Sequence, residues 1–388
     1  MPRSFVTVLV FCISSLSLGQ TAFFNGGDLQ MHSNAQMGIH TDLINDGNFN
    51  QNTGLVGFYS DGPLFFQGTN PITIFDGEFA AQGNLFLENT ITVSNNTNFI
   101  FGNVNTSLVN PTNLLNFGEN SFFTGESDIS KVVGFAGVER ATTFSFPIGD
   151  GEQLRSLLLN SNNASDFASS AYFFDSPNGP NTYNQEFDID TKIRDIGFIS
   201  NNEFWVLNSD TESNITLSWN ARSDLGLIAT VLEDIILVGW SKVSNQWISL
   251  GKVAIGGDLE EGFITSENFI PDEYAAITFG TLPLPLDTFV TNNPTLGNYF
   301  LSPNADGTND FLVFDNLEDT GSNQVLIYNK FGQKVFEMTN YMNEFNGVSN
   351  IDNFVLNREI GLPEGIYYYT IFLTDLNLSY QGFLFLDR

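Results

Sequence analysis

The residues of this chain that could do chemistry are mostly carboxylates and side-chain amides. Ser302, Asn304 and Asp306 alternate ahead of Gly307, and Asn309 and Asp310 follow. Hard oxygen donors at alternate positions beside a glycine turn can wrap Ca²⁺. Position twelve of such a loop is Val313, where a bidentate Glu is expected. The same Asn304, Asp306, Asn309 and Asp310 also suit a tight turn capped by its own side chains. Calcium is the one cofactor this pattern suggests. Further upstream, Glu186, Asp188 and Asp190 alternate with Phe187 and Ile189. On a strand the three carboxylates would share one face. They would then be a solvated stripe, a calcium site or a glycosidase pair.

Other chemistries find little to work with. His32 and His40 are the two histidines, too few for a zinc site without cysteine. No G-x-S-x-G accompanies them, so a Ser-His-Asp hydrolase has no nucleophile motif. Neither G-x-x-x-x-G-K nor G-x-G-x-x-G occurs, so nucleotide binding has no support. The expectation is a protein that is not an enzyme. Tyr183, Trp205, Trp219, Trp240 and Trp247 could form a sugar-stacking platform, although such residues at strand positions are usually core.

The composition narrows the partners. The chain has 13 Lys+Arg against 44 Asp+Glu, a formal net charge of -31. Such a charge opposes binding to nucleic acid or anionic lipid. Hydrophobic residues at 42%, with 39 Phe, suffice for several packed cores. Residues 1–19 read as a secretory signal: Arg3, then the apolar run from Phe5 to Ile13, then a cut after Gly19. Cys12, the single cysteine, falls inside it. A lipoprotein reading of Leu9-Val10-Phe11-Cys12 is the alternative. The mature chain would have no disulfide and no thiolate metal site. No later segment is long and apolar enough for a transmembrane helix.

The elements that must position these residues are all strands. No stretch sustains apolar residues at helical spacing. Short runs of Val, Ile, Phe, Tyr and Thr alternate with Gly, Asn, Asp and Ser instead. Residues 20–140 are loosely repetitive, as in Leu43-Ile44-Asn45-Asp46-Gly47, Leu64-Phe65-Phe66-Gln67-Gly68 and Phe99-Ile100-Phe101-Gly102-Asn103. They suit stacked coils of a β-helix, with a β-sandwich as the alternative. Residues 141–281 read as a β-sandwich, with Ile215, Leu217 and Trp219 on one face and a hairpin at Ser244-Asn245. Residues 282–297, opening Leu282-Pro283-Leu284-Pro285, read as a linker.

Residues 298–388 carry the clearest pattern. Gln324 to Asn329 and Lys334 to Glu337 flank the turn Lys330-Phe331-Gly332-Gln333, and Pro363-Glu364-Gly365 precedes a long strand from Ile366. Six or seven strands suggest a small sandwich of immunoglobulin-like kind. Here the motifs resemble the gliding-motility-associated C-terminal domain, the type B sorting domain of type IX secretion. Ser302-Pro303-Asn304-Ala305-Asp306-Gly307-Thr308-Asn309-Asp310 is similar to its opening motif. Ile327-Tyr328-Asn329-Lys330-Phe331-Gly332 is similar to its second, in which an apolar residue precedes Phe-Asn-Arg-Trp-Gly. Leu362-Pro363-Glu364-Gly365-Ile366-Tyr367 is similar to its third, and Tyr380-Gln381-Gly382 with Arg388 to its close. Phe331 stands in place of the usual Trp, and Phe345-Asn346-Gly347 in place of Trp-Asp-Gly. Both departures keep an aromatic, so the fold is expected to hold.

The resemblance implies delivery through the type IX secretion machinery, in Bacteroidota, to the cell surface or the medium. The expected function is an adhesin-like surface protein, with surface glycan or cell-envelope components as further partners. The alternatives are a carbohydrate-binding protein or a carboxylate-based glycoside hydrolase or lyase.

Overall fold

A computed structural model describes residues 21–109, 111–283, 296–315, 317–320, 322–351, 361–374 and 378–388. The expected signal segment, residues 1–19 with Cys12, and residues 284–295 of the expected linker at 282–297 lie outside the described residues. The chain divides into two compact units, residues 1–283 and 284–388. Both are built almost wholly from strands.

The first unit begins as a β-solenoid. Ala22–Asn25, Asp42–Asn45, Leu64–Gln67, Leu85–Leu87, Val104–Asn105, Val132–Val133 and Ile148–Gly149 stack in parallel as one sheet. Gln36–Ile39, Leu55–Ser60, Ile72–Ala81, Ile91–Phe101, Leu115–Phe117 and Ala136–Glu139 stack in parallel as a second. Of the two folds open for residues 20–140, the stacked coil is the one present. Alternation explains it: Leu64–Gln67 buries every second residue, so each coil turns one apolar face inward. Successive coils then close the core, and like residues meet like. Phe58, Phe79 and Phe99 stack at ring spacings of 5.6 and 6.0 Å.

Turns between coils are held by buried asparagines. Asn25 Nδ2 donates to Asn45 Oδ1, 20 residues on, at 2.7 Å. Asn45 Nδ2 donates in turn to the Asn70 carbonyl at 3.0 Å. Burial raises the cost of an unpaired amide, so this ladder fixes where each coil bends. Glycine serves where backbones nearly touch: a Cβ on Gly102, which has φ +78°, would fall 1.7 Å from the Ala81 carbonyl oxygen.

The second solenoid sheet continues across residue 140, where the sequence reading places a domain boundary. Ala136–Glu139 pairs antiparallel with Phe167–Phe173, and the sheet runs on through Phe204–Asn208, Tyr274–Thr281, Ile235–Ser241 and Gln246–Ser249. A five-stranded antiparallel sheet, Thr143–Phe146, Leu157–Ser161, Ser213–Trp219, Gly262–Thr265 and Ala254–Gly257, faces it. Trp219 from this sheet and Trp205 from the other meet Phe279 edge-on at 5.8 and 5.6 Å. One apolar cluster runs from Met31 to Phe279, a second joins Leu114 and Phe135 to Trp247 and Ala276, and both lie in the one compact unit that ends at Pro283. The hairpin at Ser244-Asn245 is present, with Asn245 at φ +49°.

The second unit has one sheet among the described residues, in the order Asn298–Leu301, Leu378–Leu386, Gly365–Leu373, Asn323–Asn329, Lys334–Thr339. The sequence reading expects two facing sheets. Loop residues supply the opposing layer instead: Leu312, Phe314, Tyr341, Phe345 and Leu362 complete the core on one face. Tyr341 earns its buried place through its hydroxyl, which donates to the Leu312 carbonyl at 2.6 Å.

Candidate functional site

The opening motif of the C-terminal unit folds as a self-capped loop. Asp310 Oδ1 accepts from the Ala305 N–H at 2.7 Å, and its Oδ2 from Gly307 at 2.8 Å. Asp306 Oδ1 accepts from Thr308 at 2.8 Å, and Asn304 Oδ1 from Asp306 at 3.0 Å. The Asn309 carbonyl accepts from Ser302 N–H at 2.8 Å. Ala305 and Asn309 sit at positive φ, as does Gly307. These oxygens are aimed at backbone N–H groups, which is the geometry of a turn. Asn304, Asp306, Asn309 and Asp310, the expected calcium ligands, all belong to this one loop, and the accepting carboxylate oxygens each keep a second lone pair.

Two other motifs form turns by the same means. Asn329 Oδ1 accepts from Phe331 and Gln333 N–H at 2.9 and 3.1 Å, with Gly332 at φ +77° between them. Gly365, at φ +146°, ends the Pro363 turn, and the Tyr367 hydroxyl donates to the Pro363 carbonyl at 2.8 Å. Gly382 is needed for a different reason. It lies opposite Tyr369, and a Cβ there would meet the Tyr369 hydroxyl at 2.4 Å.

The tertiary structure sorts the motifs into two groups. Pro303, Gly347 and Arg388 converge at one place: Arg388 Nη2 donates to the Gly347 carbonyl at 2.9 Å, and Pro303 Cγ lies 3.3 Å from where a Gly347 Cβ would be. The other group is a groove. Phe331, Leu362, Pro363, Ile366 and Tyr368 line it, with Lys330 and Glu364 among its polar residues. It brings together two motifs some thirty residues apart in sequence. The two aromatic departures also separate. Phe345 is fully buried against Phe336, whereas Phe331 is 75% exposed. Only the first supports the fold; the second is a surface ring in the groove.

Other expected sites are placed differently. Glu186, Asp188 and Asp190 are exposed, but they lie in an irregular segment rather than on a strand. Asp188 caps a turn, accepting from Asp190 N–H and the Thr191 hydroxyl. Those hydrogen bonds hold its carboxyl below the usual carboxylate value. The segment is irregular because Phe187 and the Asp188 carbonyl anchor it to Trp240 and Trp247. Trp205, Trp219, Trp240 and Trp247 are all buried, so they are core. His32 and His40 are exposed.

One constellation escaped sequence reasoning. Arg155 and Glu203 are both almost fully buried, with Arg155 Nη2 2.8 Å from each Glu203 oxygen. The Tyr172 hydroxyl donates to Glu203 Oε2 at 2.6 Å, and burial beside that carboxylate pushes the phenol far up. Removing either charge would leave the other stranded, at a cost of about 3–5 kcal/mol. The signal available was scarcity: a chain with 13 cations places Arg155 and the buried Lys131 next to apolar strands.

Comparison with protein families matches residues 295–386 to the CHU_C Type IX secretion signal domain. The C-terminal unit is therefore a type IX sorting domain, as the motifs imply, and the chain is one exported by type IX secretion to the cell surface or the medium. No curated protein and no solved structure matches the chain. Among the described residues, no helix is long and apolar enough to cross a membrane.

Proposed function

We propose that this protein is a non-catalytic, adhesin-like protein displayed outside the outer membrane, with the solenoid and its antiparallel extension as the working part. The observation that carries the reading is the convergence of two sorting motifs on one exposed groove of a secretion signal domain. The secretion machinery is the occupant of that groove: Phe331 is a ring that the core does not use, and an exposed apolar patch is a contact surface by default. The first unit offers long, regular sheet faces, which suit adhesion to an extended surface better than chemistry in a closed pocket.

Localisation tests it. A chain lacking residues 298–388 is expected to remain in the periplasm, and Phe331→Ala in the full chain is expected to reduce export without changing melting. Surface display that survives the truncation overturns the delivery reading. Product release from polysaccharides by the purified chain overturns the non-catalytic one.

A further inference from the structure

The outer face of the second solenoid sheet carries a pattern that the core does not need. Register sets Gly38 beside Gly57, Gly57 beside Glu78 and Glu78 beside Asn98, all on one side of the pleat. Two adjacent glycines in strands weaken pairing and pack nothing themselves. Their space is filled by a ring. A Cβ on Gly57 would fall 2.2 Å from Tyr59 Cζ, and one on Gly38 3.4 Å from Tyr59 Cδ2. The Tyr59 ring therefore lies back along its own strand, over the glycines, as a plate instead of standing off the sheet. The His40 ring sits beside it, 5.4 Å between centroids.

The plate is locked to a carboxylate. The Tyr59 hydroxyl donates to Glu78 Oε2, and Asn98 Nδ2 donates to Oε1 at 3.1 Å. Burial and Glu78 together push the phenol up to about 12, so it stays a donor. Each Glu78 oxygen keeps lone-pair capacity for a further donor. A neighbouring pair, Asn95 and Asp76, repeats the arrangement at 2.6 Å. Two shallow hollows flank the plate. One is lined by His40, Tyr59, Ile100 and Phe101; the other includes Asp76, Glu78, Asn95, Asn98 and Phe122.

A flat ring beside a fixed acceptor and amides matches one ligand chemistry. The C–H face of a pyranose stacks on the ring, and its hydroxyls donate to the carboxylate. The four strands, about 4.8 Å apart, give a track long enough for several sugar units. Asp76, Glu78 and the net charge of -31 repel polyanions, which leaves neutral sugars. We propose that this face binds a neutral polysaccharide chain, with Tyr59 as the stacking plate and Glu78 as the hydroxyl acceptor. This deepens the adhesin-like reading by naming a ligand class for it.

Calorimetry on the full chain tests the site with cellohexaose, mannohexaose and, as a polyanion, hexagalacturonate. Saturable binding to at least one neutral hexasaccharide is expected, with none to hexagalacturonate. Tyr59→Ala is expected to weaken binding about tenfold or more, and Tyr59→Phe to weaken it less. Phe122→Ala, a half-exposed ring on the same face, reads the site without disturbing the Tyr59–Glu78 bond and is expected to weaken binding too. Absence of binding to both neutral probes overturns the proposal. So does binding unchanged by both Tyr59→Ala and Phe122→Ala, or a preference for hexagalacturonate. None of these outcomes alters attachment of whole cells to a surface, which tests the adhesin-like reading separately.

Discussion

Charged residues in this protein are few on the positive side, and the buried Lys131 and Arg155 and the half-buried Arg222 each have a carboxylate or carbonyl partner. Arg222 Nη2 lies 2.6 Å from Asp150 Oδ2, and its guanidinium sits over the Phe174 ring at 3.9 Å. Burial raises the Asp150 carboxyl, but the Arg222 hydrogen bond and the N–H groups of Gln153 and Glu152 more than reverse this. The folded carboxyl therefore titrates below its ordinary value of 3.8. A lowered value in the fold means the pairing stabilises above the ordinary value and is lost as pH falls through the folded one. Asp150→Asn is accordingly expected to melt earlier than the parent at neutral pH. The gap should close as the solution is acidified below about pH 4. A gap that stays constant across that range would show that Asp150 acts through shape instead of charge.

At the scale of the element, the coil turn limits the solenoid. Gly102 has no room for a side chain, because the Ala81 carbonyl oxygen occupies the position, and its φ is unfavourable for other residues. Gly102→Ala is expected to cost about 1–3 kcal/mol. Gly27 has open space around it, so Gly27→Ala should change stability by no more than about 0.5 kcal/mol. Denaturant midpoints on the two variants check the contrast. Equal midpoints would mean that the coils can slide apart to accept a methyl group. These glycines are visible in the sequence as punctuation after short apolar runs. The distinction between them is not, since it depends on which coil lies beneath.

The whole molecule combines two compact units, the first holding two buried clusters and the second one, with a strongly negative charge. The C-terminal unit has its own buried cluster, from Leu301 to Leu386. Heating is expected to give two transitions, with the one belonging to residues 298–388 absent from a truncated chain. Salt should raise both. Raising ionic strength from 0.01 to 0.15 M shortens the screening length from about 30 to about 8 Å, which weakens repulsion among the excess carboxylates. Differential scanning calorimetry reads both effects. A single transition, or melting that does not respond to salt, would contradict them.

The sequence alone determined the chain's β class, its turns and its export signal. These follow from local rules: alternation makes strands, Asn, Gly and Pro make turns, and the sorting motifs are themselves turns held by neighbours such as Asn329 and Asp310. Tertiary structure decided what local alternation leaves equal. A period of two serves a sandwich and a solenoid alike, and only pairing between residues some twenty apart, as in Asn25 with Asn45, selects the coil. The same register lays Tyr59 over Gly57 beside Glu78, a site with no motif in the sequence. It also separates two similar aromatics, burying Phe345 and leaving Phe331 in the groove. Which face a ring meets depends on strands distant in sequence, and that information exists only once they are paired.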